Sequence, residues 1–354
     1  MKLSEYRVIK KLIEEWLLSI TIIGLIISSL YLKRFPVYTY NDFKVVYTLF
    51  VFLVLIKGLE KSGFLYSIAS SFFGGEGLYL KLILSTAFLS IFVTNDIALL
   101  TVIPLTLSLN VEDKRSLIIM ETITANGASA LTPFGNPQNI FIYYYYHLYP
   151  LEFIKAIAPF TFIFLFFVLL IAPKKVKNMK KTKITENFNK KSYIYVIFFL
   201  LFILSVLKIL PIEIGIIPII YAILFDKDIL FIDYLLLATF LCFFGFTDNL
   251  IHIFSFNLEN SRQVFLYSAF ASQAISNVPS ALFFADFTSN WKALLWGVSV
   301  GGFGNLIGSF ASLISYRLYR AKFPNSKGFL IKFHLYSYLA FFLGIAVYFL
   351  INIK

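Results

Sequence analysis

This chain has little charge and few reactive side chains. Of its 354 residues only 14% are charged, with one cysteine and three histidines. The lone Cys242 lies in the apolar run LLLATFLCFFGF, so neither a disulfide framework nor a thiolate metal site can be built, and it reads as packing. There is no His-Glu-x-x-His motif, no nucleotide-binding P-loop and no dinucleotide glycine pattern. An ATP-driven pump in this chain alone is therefore disfavoured, no ATPase partner is implied and no organic cofactor is expected. No nucleophile with its base, and no pair of metal ligands, is spaced for facing helices, which argues against an enzyme. Short alternating segments are missing too. A membrane barrel would need them, whereas the apolar runs here are continuous.

What is present is apolar length. Hydrophobic residues make up 59% of the chain, and the mean hydropathy is +0.81. Water-soluble domains do not reach that balance. A bilayer core asks for about 20 apolar residues per helix, and such stretches recur from Trp16 onward. The formal charge of +12 does not indicate a nucleic-acid partner, because the Lys and Arg sit in loops between apolar runs. There they orient helices against the cytoplasmic leaflet of the lipid bilayer. The N-terminal stretch MKLSEYRVIKKLIEEW has no small-residue cleavage site behind a short apolar core and reads as a cytoplasmic lead-in.

The clearest boundary is the lysine run KKVKNMKKTKITENFNKK, residues 174–191, which the positive-inside rule places in the cytoplasm between a first half, 1–173, and a second, 192–354. Spans are expected near 16–33, 43–60, 114–146, 153–172, 192–210, 212–225, 229–250, 291–316 and 333–352. The basic stretch YRLYRAKFPNSKGFLIKFH then also falls inside, and the C-terminus outside. Two further segments, 78–109 and 263–288, are broken at mid-length by Thr94-Asn95-Asp96 and Ser276-Asn277-Val278-Pro279. They are expected to be re-entrant hairpins whose tips meet near the midplane. An odd number of crossings separates them, so they enter from opposite sides. The expected fold is an all-α polytopic membrane protein of two inverted repeats, about nine full spans plus two hairpins, in the cell membrane.

Each hairpin precedes a long span interrupted by glycine and polar residues: LTPFGNPQN within 114–146, and GVSVGGFGNLIG within 291–316. A helix break in lipid exposes backbone groups costing several kcal/mol each, so it persists where protein, water or an ion satisfies them. Freed carbonyls with the oxygens of Thr94, Asn95, Ser276 and Asn277 suit a hard monovalent cation, while helix N-termini at the same points attract an anion. The bland alternative is that Gly135, Gly301, Gly302 and Gly304 only let helices approach closely, and packing is favoured for Gly297 and Gly308.

Asp96 is the sharpest single residue. An ionised carboxylate in the membrane costs at least about 2.5 kcal/mol, which favours a bound proton or cation partner. Its alternative role is to cap a helix beginning at Ile97. Glu121 is placed within a span, either paired with Lys57 or accepting protons, and Lys57 and Glu60 close a span at the cytoplasmic side. Asp248 shares a helical face with His252 and is a weaker candidate for proton coupling. Asn126 precedes the first break and is a candidate cavity residue, while His147 and His334 read as interfacial.

The strings FVTNDIALLTVIPLTL, TANGASALTPFGNPQN, SNVPSALFF and WKALLWGVSVGGFGNLIGSFASL resemble the ion transporter superfamily. The likeness is to its citrate-transporter-like group, which includes arsenite permeases and sodium/proton antiporters. The resemblance implies a scaffold, often dimeric, and a moving domain that carries substrate across by an elevator motion. By position it implies one half-site at Thr94, Asn95, Thr132, Gly135 and Asn136, with Na+ at Thr94, Asn95, Gly135 and Asn136 as one possibility, and another at Ser276, Asn277, Gly304 and Asn305. The dicarboxylate branch carries Ser-Asn-Thr at its tips. Here the tips read Thr94-Asn95-Asp96 and Ser276-Asn277-Val278, which points away from a dianion and toward the arsenite-permease branch. The expected function is secondary active transport of a small inorganic or organic anion, or arsenite, coupled to H+ or Na+. The rivals are a sodium/proton antiporter and, from another class, a passive channel or membrane enzyme.

Overall fold

A computed structural model describes residues 16–71, 77–109, 111, 113–172, 191–254, 257–324 and 327–351. The N-terminal lead-in, nearly all of the lysine run and the last three residues lie outside the described residues. Among those described there are sixteen α-helices and no strand, in agreement with the all-α expectation. Lipid leaves backbone groups no outside partner, so each apolar run satisfies its own as a helix.

In chain order these are α1 Trp16–Leu32, α2 Tyr40–Lys61, α3 Phe64–Ser71, α4 Leu78–Phe92, α5 Asn95–Ser108, α6 Lys114–Ser129, α7 Pro137–Tyr145 and α8 Pro150–Ile171. They continue with α9 Lys191–Val206, α10 Ile216–Phe225, α11 Tyr234–Ile253, α12 Ser261–Ile275, α13 Asn277–Ala285, α14 Trp291–Gly301, α15 Phe310–Lys322 and α16 Lys327–Ile351. Short 3₁₀ turns, Ile212–Gly215, Lys227–Leu230 and Leu306–Gly308, join some of them.

Local chemistry explains many of the boundaries. Thr39 and Asp42 form a capping box at the start of α2. Asp113, Asp233 and Asn260 accept backbone N–H groups at the starts of α6, α11 and α12. Pro137 and Pro150 occupy first-turn positions of α7 and α8, where no N–H is missed. Two expectations need correction. Helix α3, between the second span and the first hairpin, was not foreseen. Helix α15 continues past 316 to Lys322, because Ala311, Ser315 and Tyr319 keep one buried face at helical spacing through the basic residues, and Arg320 and Lys322 in its last turn suit the negative end of the helix dipole.

The molecule turns apolar side chains outward and buries polar ones among its apolar core. Ile23, Ile27 and Leu30 of α1, Phe162, Phe166 and Leu170 of α8, and Tyr193, Ile197 and Leu200 of α9 form outward stripes at helical spacing, with Leu30 72% exposed. Inside, Thr86, Asn95, Glu121, Asn126, Asn136 and Asn139 are buried. That arrangement is stable only when the surrounding solvent is hydrocarbon. By length and composition, Pro150–Ile171, Lys227–Ile253 and Gly328–Ile351 each suffice to cross a membrane, with shorter apolar helices beside them.

The helices sort into two packed groups. Helix α11 lies along α1, and α9, α10 and α11 pack on α2. Separately, α6 packs against α4, α5, α8, α15 and α16, and α14 against α8, α12, α13 and α16. The short α7 reaches both α2 and α13, so it bridges the groups.

Candidate functional site

Two hairpins and two broken helices converge in the middle of the bundle. Helices α4 and α5 join through Val93 and Thr94, which are extended, and α5 starts at Asn95. Helices α12 and α13 join through Ser276 alone, whose φ of 73° and ψ of 159° lie in a region natural to glycine. A serine there stores about 1–3 kcal/mol of strain, of the kind concentrated at ligand sites.

The first break, 130–136 between α6 and α7, is closed from within. Asn136 caps α7 by accepting the Asn139 N–H, and Asn139 Nδ2 donates to the carbonyls of Ser129, Ala130 and Thr132 at 3.3, 3.1 and 2.8 Å. Asn136 Nδ2 donates to Ser129 Oγ at 3.2 Å. The hairpin is stitched to this break twice. The Asn95 backbone N–H donates to the Gly135 carbonyl at 3.2 Å, and Thr132 Oγ1 donates to the Ile91 carbonyl at 2.7 Å. Gly135 is required sterically, since a Cβ there would lie 2.0 Å from the Ser129 carbonyl oxygen.

A different residue closes the second break, 302–309. Gln273 of α12 donates to the Gly301 and Phe303 carbonyls at 2.9 and 3.0 Å and accepts the Asn305 N–H at 2.9 Å. Asn305 Nδ2 returns a bond to the Gln273 carbonyl at 2.7 Å, and its Oδ1 accepts the N–H groups of Ile307 and Gly308. Gly304 has φ +93° and its missing Cβ would sit 2.1 Å from Gln273 Oε1.

Asn126 ties the two systems together. Its Oδ1 accepts from Asn95 Nδ2 at 3.0 Å and Ser309 Oγ at 2.9 Å, and its Nδ2 donates to the Gly302 carbonyl at 3.2 Å. First hairpin tip, first broken helix and second break thus share one buried amide. Sequence reading took Asn126 as a cavity-lining residue, whereas it is absent from the lining and acts as a junction behind the tips; Asn139, Gln273 and Ser309 were missed. Their signal was an amide or hydroxyl beside each glycine-rich break, where loose carbonyls need donors.

Beneath the tips lies a cavity of about 480 Å³. Thr94, Asn95, Asp96, Ser276 and Asn277 line it, together with Ser309 and apolar side chains of α2, α11, α13 and α15. Thr132, Gly135, Asn136, Gly304 and Asn305 do not line it. They stand behind the tips as the support just described. Asp96 is the second residue of α5 and not the cap of a helix starting at Ile97, because the helix begins two residues earlier, at Asn95, with Thr94 as its cap. Among the described residues no hydrogen bond or ion pair reaches its carboxylate, which faces the cavity. The remaining charged groups of the lining are Asp233 and Arg317, both exposed, toward the mouth.

The other acids lie elsewhere. Glu121 is 0% exposed, accepts from Thr106 Oγ1 of α5 at 2.5 Å, and leaves Oε2 without a partner among the described residues. It is not paired with Lys57, whose ammonium meets Glu60 at 2.9 Å because the two are neighbours on one helix face. Asp248 is held at the far end of α11 by Arg34 at 2.6 Å and by the Val37 N–H at 2.9 Å, and His252 also meets Arg34. Gly297 packs against Phe265 and Ser268, with no room for a Cβ. Outside the spans, burial opposes ionisation of Asp226, yet hydrogen bonds from Lys61 and Tyr195 and the charge of Lys191 outweigh it and hold its carboxyl below the ordinary range.

An apolar-surfaced helical bundle with two interrupted helix pairs, whose polar tips meet at one largely apolar internal cavity, has the build of a membrane transporter. Comparison with known proteins agrees. Residues 8–301 match the model of the citrate transporter family, described as CitMHS, and the chain belongs to that family. It is 35% identical over 290 residues to an uncharacterized transporter of Methanocaldococcus jannaschii, covering 78% of this chain and 81% of that one. It is 30% identical over 328 residues to the inner membrane protein YbiR of Escherichia coli, covering 84% of each. The protein is a membrane-embedded transporter.

Proposed function

We propose that this chain is a proton-coupled secondary carrier of a small anion, working by alternating access in the cell membrane. The observation that carries the reading is the Asp96 carboxyl, unpaired among the described residues, beside the N-termini of α5 and α13 in one cavity. Helix N-termini favour an anion, and a carboxyl at the same place has to shed its charge or gain a cation when the anion arrives. A proton on Asp96 satisfies both.

A sodium ion at Thr94, Asn95, Gly135 and Asn136 is less favoured. Asn136 Oδ1 already caps α7 and the Gly135 carbonyl already accepts the Asn95 N–H. Contacts at the helix ends support an inverted arrangement of the hairpins. Lys114 and Lys322 hold the Leu107 carbonyl at the foot of the first hairpin, in the basic region assigned to the cytoplasm. Tyr146 holds the Ala285 and Thr288 carbonyls at the foot of the second, near the Asn41 end of α2. The two packed helix groups supply a natural scaffold and moving part for an elevator motion. A homodimer through the α1, α2, α9, α10 and α11 group fits the same reading.

The test is uptake of labelled anion into proteoliposomes under an inward proton gradient, with counterflow as control. Accumulation that follows the pH gradient supports the carrier. Ohmic currents would indicate a channel, and sodium-driven proton flux with no anion dependence an antiporter.

A further inference from the structure

The charge carried by the cavity lining limits what can occupy it. Three ionisable groups are present: Asp96 at the tip, Asp233 at the N-cap of α11 and Arg317 on α15. Asp233 has a fixed use, since its Oδ1 accepts the N–H groups of Leu235 and Leu236. Arg317 has none: among the described residues it makes no hydrogen bond or ion pair, although it is the sole guanidinium of the lining. A surface arginine near the bilayer is ordinarily explained by snorkelling, which accounts for its exposure but not for its place on the same cavity as the tips.

The N-termini of α5 and α13, helices of 14 and 9 residues, contribute about half a positive charge each. Together with Arg317 they exceed Asp233 by about one positive charge when Asp96 is protonated, and by nothing when it is ionised. The walls are chiefly aliphatic and aromatic, with Leu53, Phe240, Leu282 and Ile314 among them. A volume of about 480 Å³ is that of pockets for small organic molecules, and is generous for an inorganic oxyanion.

Resting on the carrier reading above, we propose that the substrate is a singly charged carboxylate with an apolar body. It binds together with one proton on Asp96, its carboxylate between the hairpin tips and Arg317, so that the loaded cavity is electrically neutral. Arg317 is then a specificity-determining residue, and a di- or tricarboxylate is rejected by its surplus charge. The other titratable groups meeting α5 stand away from this balance. Glu121 of α6 meets it at Thr106, and Lys114 of α6 and Lys322 of α15 meet it at Leu107, roughly 15 Å along the helix from Asp96.

The experiment is calorimetric titration of the purified full chain at pH 7 with hexanoate, benzoate, succinate and citrate, in buffers of different ionisation enthalpy, so that protons taken up on binding are read directly. The expected result is binding of hexanoate and benzoate with uptake of about one proton each, and weaker binding of succinate and citrate. Asp96→Asn should bind without proton uptake. Arg317→Gln should weaken binding at least about tenfold and Arg317→Lys should restore part of it, both variants melting like the parent. Citrate or succinate binding as tightly as hexanoate, no proton uptake by the parent chain, or parental affinity in Arg317→Gln would each overturn the proposal. Counterflow measured against protein-free liposomes separates the two readings. Monocarboxylate binding with no protein-dependent flux of any anion sinks the carrier, whereas protein-dependent citrate flux sinks only this substrate class.

Discussion

At the scale of single residues, three side chains do separable work. Asp96 faces the cavity with no partner among the described residues, so Asp96→Asn is expected to abolish the pH dependence of uptake while the melting temperature in detergent stays close to the parent's. Unchanged pH dependence would leave the proton without a carrier there. Asn126 is structural. Asn126→Leu removes the partner of Asn95, Ser309 and the Gly302 carbonyl, and each buried group left unpaired costs about 1–3 kcal/mol. A clear fall in thermal stability, larger than for Asp96→Asn, is the expected measurement. Ser276 is strained. Ser276→Gly frees the backbone at φ 73° and should raise stability by about 1 kcal/mol while weakening uptake through loss of the hydroxyl at the tip. A destabilised glycine variant would show that the strain is illusory.

At the scale of elements, the breaks are held as firmly as the helices they interrupt. Gly135→Ala would force a Cβ to 2.0 Å from a backbone carbonyl, which cannot swing aside as a side chain can. The expected outcome is loss of folded protein on size-exclusion chromatography, and the same for Gly304→Ala, because its φ of +93° strains any side chain and the added Cβ would meet the Gln273 amide that holds the second break. The corner between α10 and α11 behaves differently, since charge ties it to the end of α2. Lys61 lies 2.8 Å from Asp226 and 2.7 Å from Asp228. Because the folded state holds the Asp226 carboxyl below its unfolded value, the resulting stability is fully present above about pH 4 and is lost as pH falls through the folded value. Asp226→Asn should flatten the acid limb of a stability-against-pH curve and leave the neutral region's slope unchanged.

At the scale of the whole molecule, the cavity faces the end where Asp233 and Arg317 stand, and the proposed alternating access requires it to close there. With Cys242→Ala as a background, a Ser276→Cys variant should react with a membrane-impermeant thiol reagent from one side only, and saturating substrate should slow the reaction. Equal labelling from both sides would indicate an open pore. Much of this architecture was legible beforehand, because a helix in lipid must be about 20 residues long and apolar, and a polar break within one is too costly to be accidental. On that basis Asn95, Asp96, Ser276 and Asn277 stood out by composition alone. What stayed hidden was partnership. Nothing in the chain order says that Gln273 of a hairpin, rather than a residue after the break, gathers the carbonyls of the second break, or that Glu121 meets Thr106 instead of Lys57. The sequence by itself determined the solvent, most of the helices and the breaks, since these follow from local hydropathy and backbone satisfaction, and it missed only the short α3 and the end of α15. Only the tertiary structure decided that Asn126 is the junction and that Arg317, one of a run of basic residues near a membrane surface, shares a cavity with Asp96, because hydrogen-bond partners and charge balance are fixed by distances between segments far apart in the chain.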